Sequence, residues 1–327
     1  TIIYSLSSDS VIVFILLWKI MLLLCVLLCS KLLTILMRAS GVEDVKQTSL
    51  LYIWILQPLI LFEVLGSGHF DVIWIAMILS AMWAAINRKW LIVFPMLAMG
   101  VWAKFIPVFL IPWFVLWWWQ GVTRSNWIGQ TVRLGFGIAG ACAITVFSWM
   151  RFWSGTEVFQ TLKLLSKFAT DSVFAVTYYS LRPIFDWLIT SNPHWILTRC
   201  VHVIVLLIAL YYFYPLIKDT LRVVMRKTQW EIKDYVKAIF VSLCIYLCIW
   251  QKAFWPWYVI WLWPFGILIL ENSFVKKILI WISLAPLAFY PVWYTARLLL
   301  HVDGTTQLWF FWFTVVSIML YPMWQLF

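Results

Sequence analysis

Apolar residues recur in runs of roughly 20 along this chain, the length that spans the hydrocarbon core of a bilayer. In stretches such as residues 11–20 and 203–210 every face is apolar. The alternation that a membrane β-strand needs is missing, so barrels are excluded. Reading the runs against their proline, glycine and charged breaks predicts eleven helical spans, near residues 11–37, 49–66, 70–86, 90–103, 105–119, 128–149, 195–217, 237–250, 254–270, 277–293 and 307–327. The fold class is therefore all-α: a polytopic transmembrane helical bundle of about 11 spans, with residues 1–327 forming a single integral membrane domain. Residues 150–194 form the longest interruption and read as an outer-face loop. Within it residues 174–189 are apolar but hold Arg182, Pro183 and Asp186. A crossing there would invert every later loop, so the segment reads as an interfacial or re-entrant helix.

Composition agrees with the pattern. Hydrophobic residues make up 65% of the chain and charged residues 11%, against about 25% charged in soluble domains, which excludes a water-soluble enzyme. The net charge of +11 would suggest a nucleic-acid partner in a soluble protein. Here it reads as topology, with membrane lipid and no nucleic acid as the expected surroundings. With the first span running inward, the inner loops gather most of the basic residues, above all between Lys218 and Lys237. The six cysteines sit in or beside apolar runs, and the i,i+4 pairs Cys25/Cys29 and Cys244/Cys248 have no His or carboxylate beside them. They read as small buried hydrophobes rather than metal ligands. Neither a metal nor a cofactor is expected. Thr1 stands where a methionine would begin a gene product, and the chain reads as N-terminally truncated.

In that orientation the remaining polar features fall on the outer face: Glu63 to Asp71, Lys104, the 150–194 loop, Gln251 to Tyr258, and Arg297 to Asp303. Ionisable groups at membrane depth are costly and mark substrate paths. Glu63, His69 and Asp71 lie within nine residues at one boundary. Asp71 could simply cap the next helix, but three ionisable groups together favour a site over a lone cap. Lys104, ahead of Pro107, either snorkels to lipid phosphate or holds the phosphate of a bound lipid as a point charge. Arg182 offers the same choice with a bidentate fork. Lys252, Trp255, Trp257 and Tyr258 form either an interfacial belt or an aromatic platform for a sugar ring or polyprenyl chain, with Lys252 adding a phosphate contact.

Three of these segments together resemble the GT-C glycosyltransferases that use polyprenyl-phosphate sugars, in particular bacterial polyprenol-phosphate-mannose-dependent mannosyltransferases of the glycosyltransferase family 87 kind. In that family a helix closing on Asn-Pro and an aliphatic run is followed by Gly-x-Gly-His-Asn-Asp. This chain has Gln57-Pro58, Glu63, Gly66, Gly68, His69 and Asp71, with Gln57 in place of Asn and Phe70 where Asn is usual. Lys104-Phe105-Ile106-Pro107 looks like the family's Lys-Phe-x-Pro, and Pro256-Trp257-Tyr258 like its late Pro-Trp-Tyr. The resemblance implies a multi-pass protein of the bacterial plasma membrane with an outward-facing site. The activity implied is inverting transfer of a hexose, mannose, from a polyprenyl-phosphate donor to a lipid-linked or glycan acceptor. It also implies a catalytic acid in a first outer loop that precedes most of this chain, Asp9 being the last acid near its end. Asp71, with His69 and Glu63, is then the surviving acidic site. Lys104, Arg182 and Lys252 become donor-phosphate contacts, and Trp255, Trp257 and Tyr258 lipid contacts. A flippase of lipid-linked sugars, and a non-catalytic subunit of an envelope assembly complex, are the competing expectations.

Overall fold

The computed structural model describes residues 10–150, 153, 155, 172–189, 193–251, 255–271 and 275–280. Asp9, Lys252, Arg297, Asp303 and nearly all of the last two expected spans lie outside them. The described elements are helical: α1 (Val11–Ala39), α2 (Asp44–Leu56), a π-helix (Leu59–Ser67), α3 (Asp71–Ile86), α4 (Trp90–Ala103), a 3-10 turn (Ile106–Leu110), α5 (Ile111–Gly121), α6 (Trp127–Met150), α7 (Val173–Leu188), α8 (Pro193–Val224), α9 (Ile232–Ile245), a second π-helix (Tyr246–Trp250), a 3-10 turn (Pro256–Trp261) and α10 (Trp263–Leu268). Three helices are long and apolar enough to cross a membrane, or up to four if the bent pair α2 and π-helix counts as one; the described residues do not establish eleven. Several of the other expected spans are shorter apolar helices or helices broken by 3-10 or π turns.

The chain forms two compact units. Unit 1 holds residues 1–152, 221–239 and 260–269, and unit 2 holds 153–220, 240–259 and 270–327. In unit 1, α1 buries Leu22, Val26, Cys29, Leu33 and Leu36, a stripe spaced alternately by four and three residues, the period that keeps one helix face on a neighbour. That neighbour is α3, most of whose side chains are buried. Helix α4 packs on α3, and α6 on α4. Between helices in lipid the hydrophobic effect adds little, so close contact through small residues decides such packing. Gly137 of α6 lies against the Trp90 backbone, where a Cβ would collide with the carbonyl oxygen, and a Cβ at Gly140 would stand 3.3 Å from the Pro95 ring. Gly137→Ala is therefore expected to lower stability by about 1–3 kcal/mol, the usual cost of overpacking, and Gly140→Ala by less; thermal unfolding in detergent compares the two.

At the other end of unit 1, the Trp117-Trp118-Trp119 run binds protein. Trp117 stacks on Tyr235 with ring centroids 4.4 Å apart. Trp118 and Trp119 donate their indole N–H to the carbonyls of Gln130 and Val224. Arg226 lies over Trp119 and donates to the Val122 carbonyl at 3.0 Å, so the basic cluster is partly structural. In unit 2, the segment expected as an interfacial helix is helical as α7, capped by Ser172 and buried at Val173–Val176 but largely exposed beyond Tyr178.

Candidate active site

The site begins at a helix break. Pro58 has no N–H to continue the α2 ladder and pushes the residue before it out of the helical region. Gln57 accordingly adopts an extended ψ of 139°, and the chain bends by 46°. Beyond the bend the helix continues as a π-helix, a geometry that gathers at functional sites. It closes at Gly68, whose φ of +88° is left-handed and suits glycine. The Gly68 N–H then reaches the Val64 carbonyl, and the His69 N–H reaches that of Glu63.

This closure sets two couples. Glu63 is buried, and its Oε2 lies 3.5 Å from Nε2 of His69, whose ring is 30% exposed. Asp71, the first residue of α3, is 2% exposed. The N-cap position itself is taken by Phe70, with Asp71 in the first turn. The Asp71 Oδ1 accepts from Lys104 Nζ at 2.6 Å, Trp261 Nε1 at 2.6 Å and Trp74 Nε1 at 3.4 Å. Lys104 ends α4 in extended conformation, and Pro107 packs beside Gly100 as the chain turns. Its ammonium also sits 4.5 Å from the centroid of the Trp261 ring, a cation–π contact. Burial draws Lys104 below the ordinary lysine pKa, and the Asp71 carboxylate pulls it back up. An Oδ1 already accepting three N–H bonds is a poor base; what it does well is hold a cation in place.

From the other side, α1 supports the turn. Trp18 Nε1 donates to the Gly68 carbonyl at 3.0 Å, and Lys19 Nζ to the carbonyls of Leu65 and Gly66. A cation on the last carbonyls of a helix is favoured by its dipole. Trp18, Lys19, Trp74 and Trp261 were not among the expected site residues. Lys19 carried a signal, an ionisable group inside an apolar run. Trp261 carried none, being one of 26 tryptophans and joined to Asp71 across 190 positions.

The other expected residues lie in unit 2. Arg182 pairs with Asp186 at 3.4 Å on the exposed part of α7. Trp255 and Trp257 stack with centroids 5.1 Å apart, and Tyr258 stands edge-on to Trp257. Among the described residues, no three His, Cys, Asp or Glu side chains gather as a metal would require.

No curated protein and no solved structure matches the chain. Residues 1–121, which carry Lys19, Glu63, His69, Asp71 and Lys104, match the family described as alpha-(1->6)-mannopyranosyltransferase, N-terminal domain, and so support a membrane mannosyltransferase.

Proposed function

We propose that this chain is a GT-C membrane glycosyltransferase that transfers mannose from a polyprenyl-phosphate donor to a hydroxyl of a lipid-linked or glycan acceptor. The site faces outward from a bacterial plasma membrane. The observation that carries this reading is the pairing of Asp71 with Lys104 beside the Glu63–His69 couple, all within the residues that match a mannosyltransferase family. The description of that family suggests an α-(1→6) product, so the acceptor atom is the O6 hydroxyl of a sugar. Inversion to an α product requires a β-linked donor.

In the reaction, the acceptor oxygen attacks the anomeric carbon as the bond from that carbon to the phosphate oxygen breaks. The bonding pair leaves on the phosphate, which gains one negative charge. Asp71, His69 and Glu63 share the acid–base and electrostatic work. The Glu63–His69 couple, with its part-exposed imidazole, takes the hydroxyl proton. Asp71 keeps Lys104 charged and aimed, and Lys104 stabilises the departing phosphate. On unit 2, taken by itself, the Trp255–Trp257 stack and Tyr258 offer flat faces to an isoprenoid chain. Arg182 offers a phosphate contact on the same unit, and Lys252, outside the described residues, is read as a further one.

Competition between donors tests the reading. Purified protein given radiolabelled polyprenyl-phosphate mannose, GDP-mannose and a membrane-lipid acceptor is expected to label the acceptor from the lipid donor alone. Labelling from the nucleotide sugar alone would overturn it.

A further inference from the structure

The cations of unit 1 near the Gly66–Asp71 turn are not equivalent. Lys104 is neutralised by a buried carboxylate at 2.6 Å. Lys19 bonds only the neutral carbonyls of Leu65 and Gly66, and among the described residues no carboxylate lies within ion-pair distance of it. Its side chain is half-buried in a helix that is otherwise apolar around it, where an ionisable group is expensive without a function. An ammonium carries three donors, and two here are spent on carbonyls.

The position is also open on the correct side. Gly66 and Ser67 are exposed, while Gly68 and His69 are partly so. A Cβ on Gly68 would lie 3.7 Å from Lys19 Nζ and 3.4 Å from Trp18 Nε1, so the glycine keeps this approach clear. The turn therefore presents a fixed positive charge, held by its own main chain and, among the described residues, without a carboxylate partner.

We propose that Lys19 binds the phosphate of an isoprenoid lipid at the Gly66–His69 turn, as a second cation that no carboxylate among the described residues pairs. The inference rests on the donor class proposed above, and it assigns the contact to a residue outside the Lys104 cluster. A phosphodiester that becomes a phosphomonoester on transfer gains a negative charge, so an unneutralised ammonium favours the leaving state over the bound donor.

Binding, measured apart from transfer, tests this. The full chain in detergent is titrated calorimetrically with a short-chain polyprenyl phosphate, with inorganic phosphate and phosphatidylglycerol as further arms. Lys19→Gln keeps an N–H donor for the Leu65 and Gly66 carbonyls but removes the charge, and Lys19→Arg keeps both. The expected result is polyprenyl-phosphate binding about tenfold to hundredfold weaker in Lys19→Gln, the range for one lost hydrogen bond to a charged group, with Lys19→Arg close to wild type. Thermal unfolding of Lys19→Gln near that of the wild type separates this loss from a misfolded turn. The inference is overturned if Lys19→Gln binds polyprenyl phosphate as the wild type does, if the wild type does not bind it, or if the loss appears for phosphatidylglycerol or inorganic phosphate alone. Wild-type binding without any transfer would contradict the enzyme reading and leave the Lys19 assignment standing.

Discussion

Asp71→Asn and Lys104→Met are each expected to cut transfer by about 100-fold or more, the scale for losing one group that stabilises charge in a transition state. Each should also destabilise the protein by about 3–5 kcal/mol, because each leaves the other member of a buried ion pair uncompensated. Both partners are sufficiently enclosed for that figure to apply, Asp71 at 2% exposure and Lys104 at 20%. The double variant removes both charges and is expected to regain part of the stability and none of the transfer. Thermal unfolding and transfer assays on the four proteins close the cycle. The sign with pH follows from the causes acting on Lys104. Burial lowers its pKa and Asp71 raises it, so Asp71→Asn removes the raising influence. The residual transfer of Asp71→Asn should thus fall off at a lower alkaline pH than that of the wild type. Full transfer in Asp71→Asn with an unchanged profile would show that Asp71 neither reacts nor holds Lys104.

The second large effect lies in the backbone. Gly68→Val puts a β-branched residue at a φ of +88° and pushes a side chain towards Trp18 Nε1 and Lys19 Nζ. The left-handed conformation costs a non-glycine residue about 1–2 kcal/mol. The turn is expected to relax and carry His69 with it, and a displacement near 1 Å costs on the order of 100-fold in rate. Gly68→Val should thus lose transfer strongly while losing only modest stability, and Gly68→Ala should fall between it and wild type. Equal kcat for all three would show that the turn does not position His69.

The helical class was legible in the apolar runs, and α1, α3, α4 and α6 lie within two residues of their expected limits. The span expected at 49–66 is less simple, because the same Pro58 that breaks α2 leads into a π-helix. For the site, local sequence showed that Glu63, His69 and Asp71 are neighbours but not how they divide. The division into Glu63–His69 and Asp71–Lys104 depends on a left-handed glycine and on an indole from position 261. A distant aromatic partner leaves no trace in a chain where aromatic residues make up 19%. Lys19 could have been found by cost alone, since nothing in its surrounding sequence offers a reason to bury a charge.

The most direct test of the central claim follows both parts of one donor. Polyprenyl-phosphate mannose labelled separately in its sugar and its phosphate is placed in vesicles containing the protein and a membrane-lipid acceptor. The account predicts that the labels separate, with sugar on the acceptor and phosphate on free polyprenyl phosphate in equal amounts, and that Asp71→Asn suppresses the separation. Labels that stay together and cross the bilayer would identify a flippase, and labels that neither separate nor move until a second protein is added would identify a subunit; either result contradicts the account.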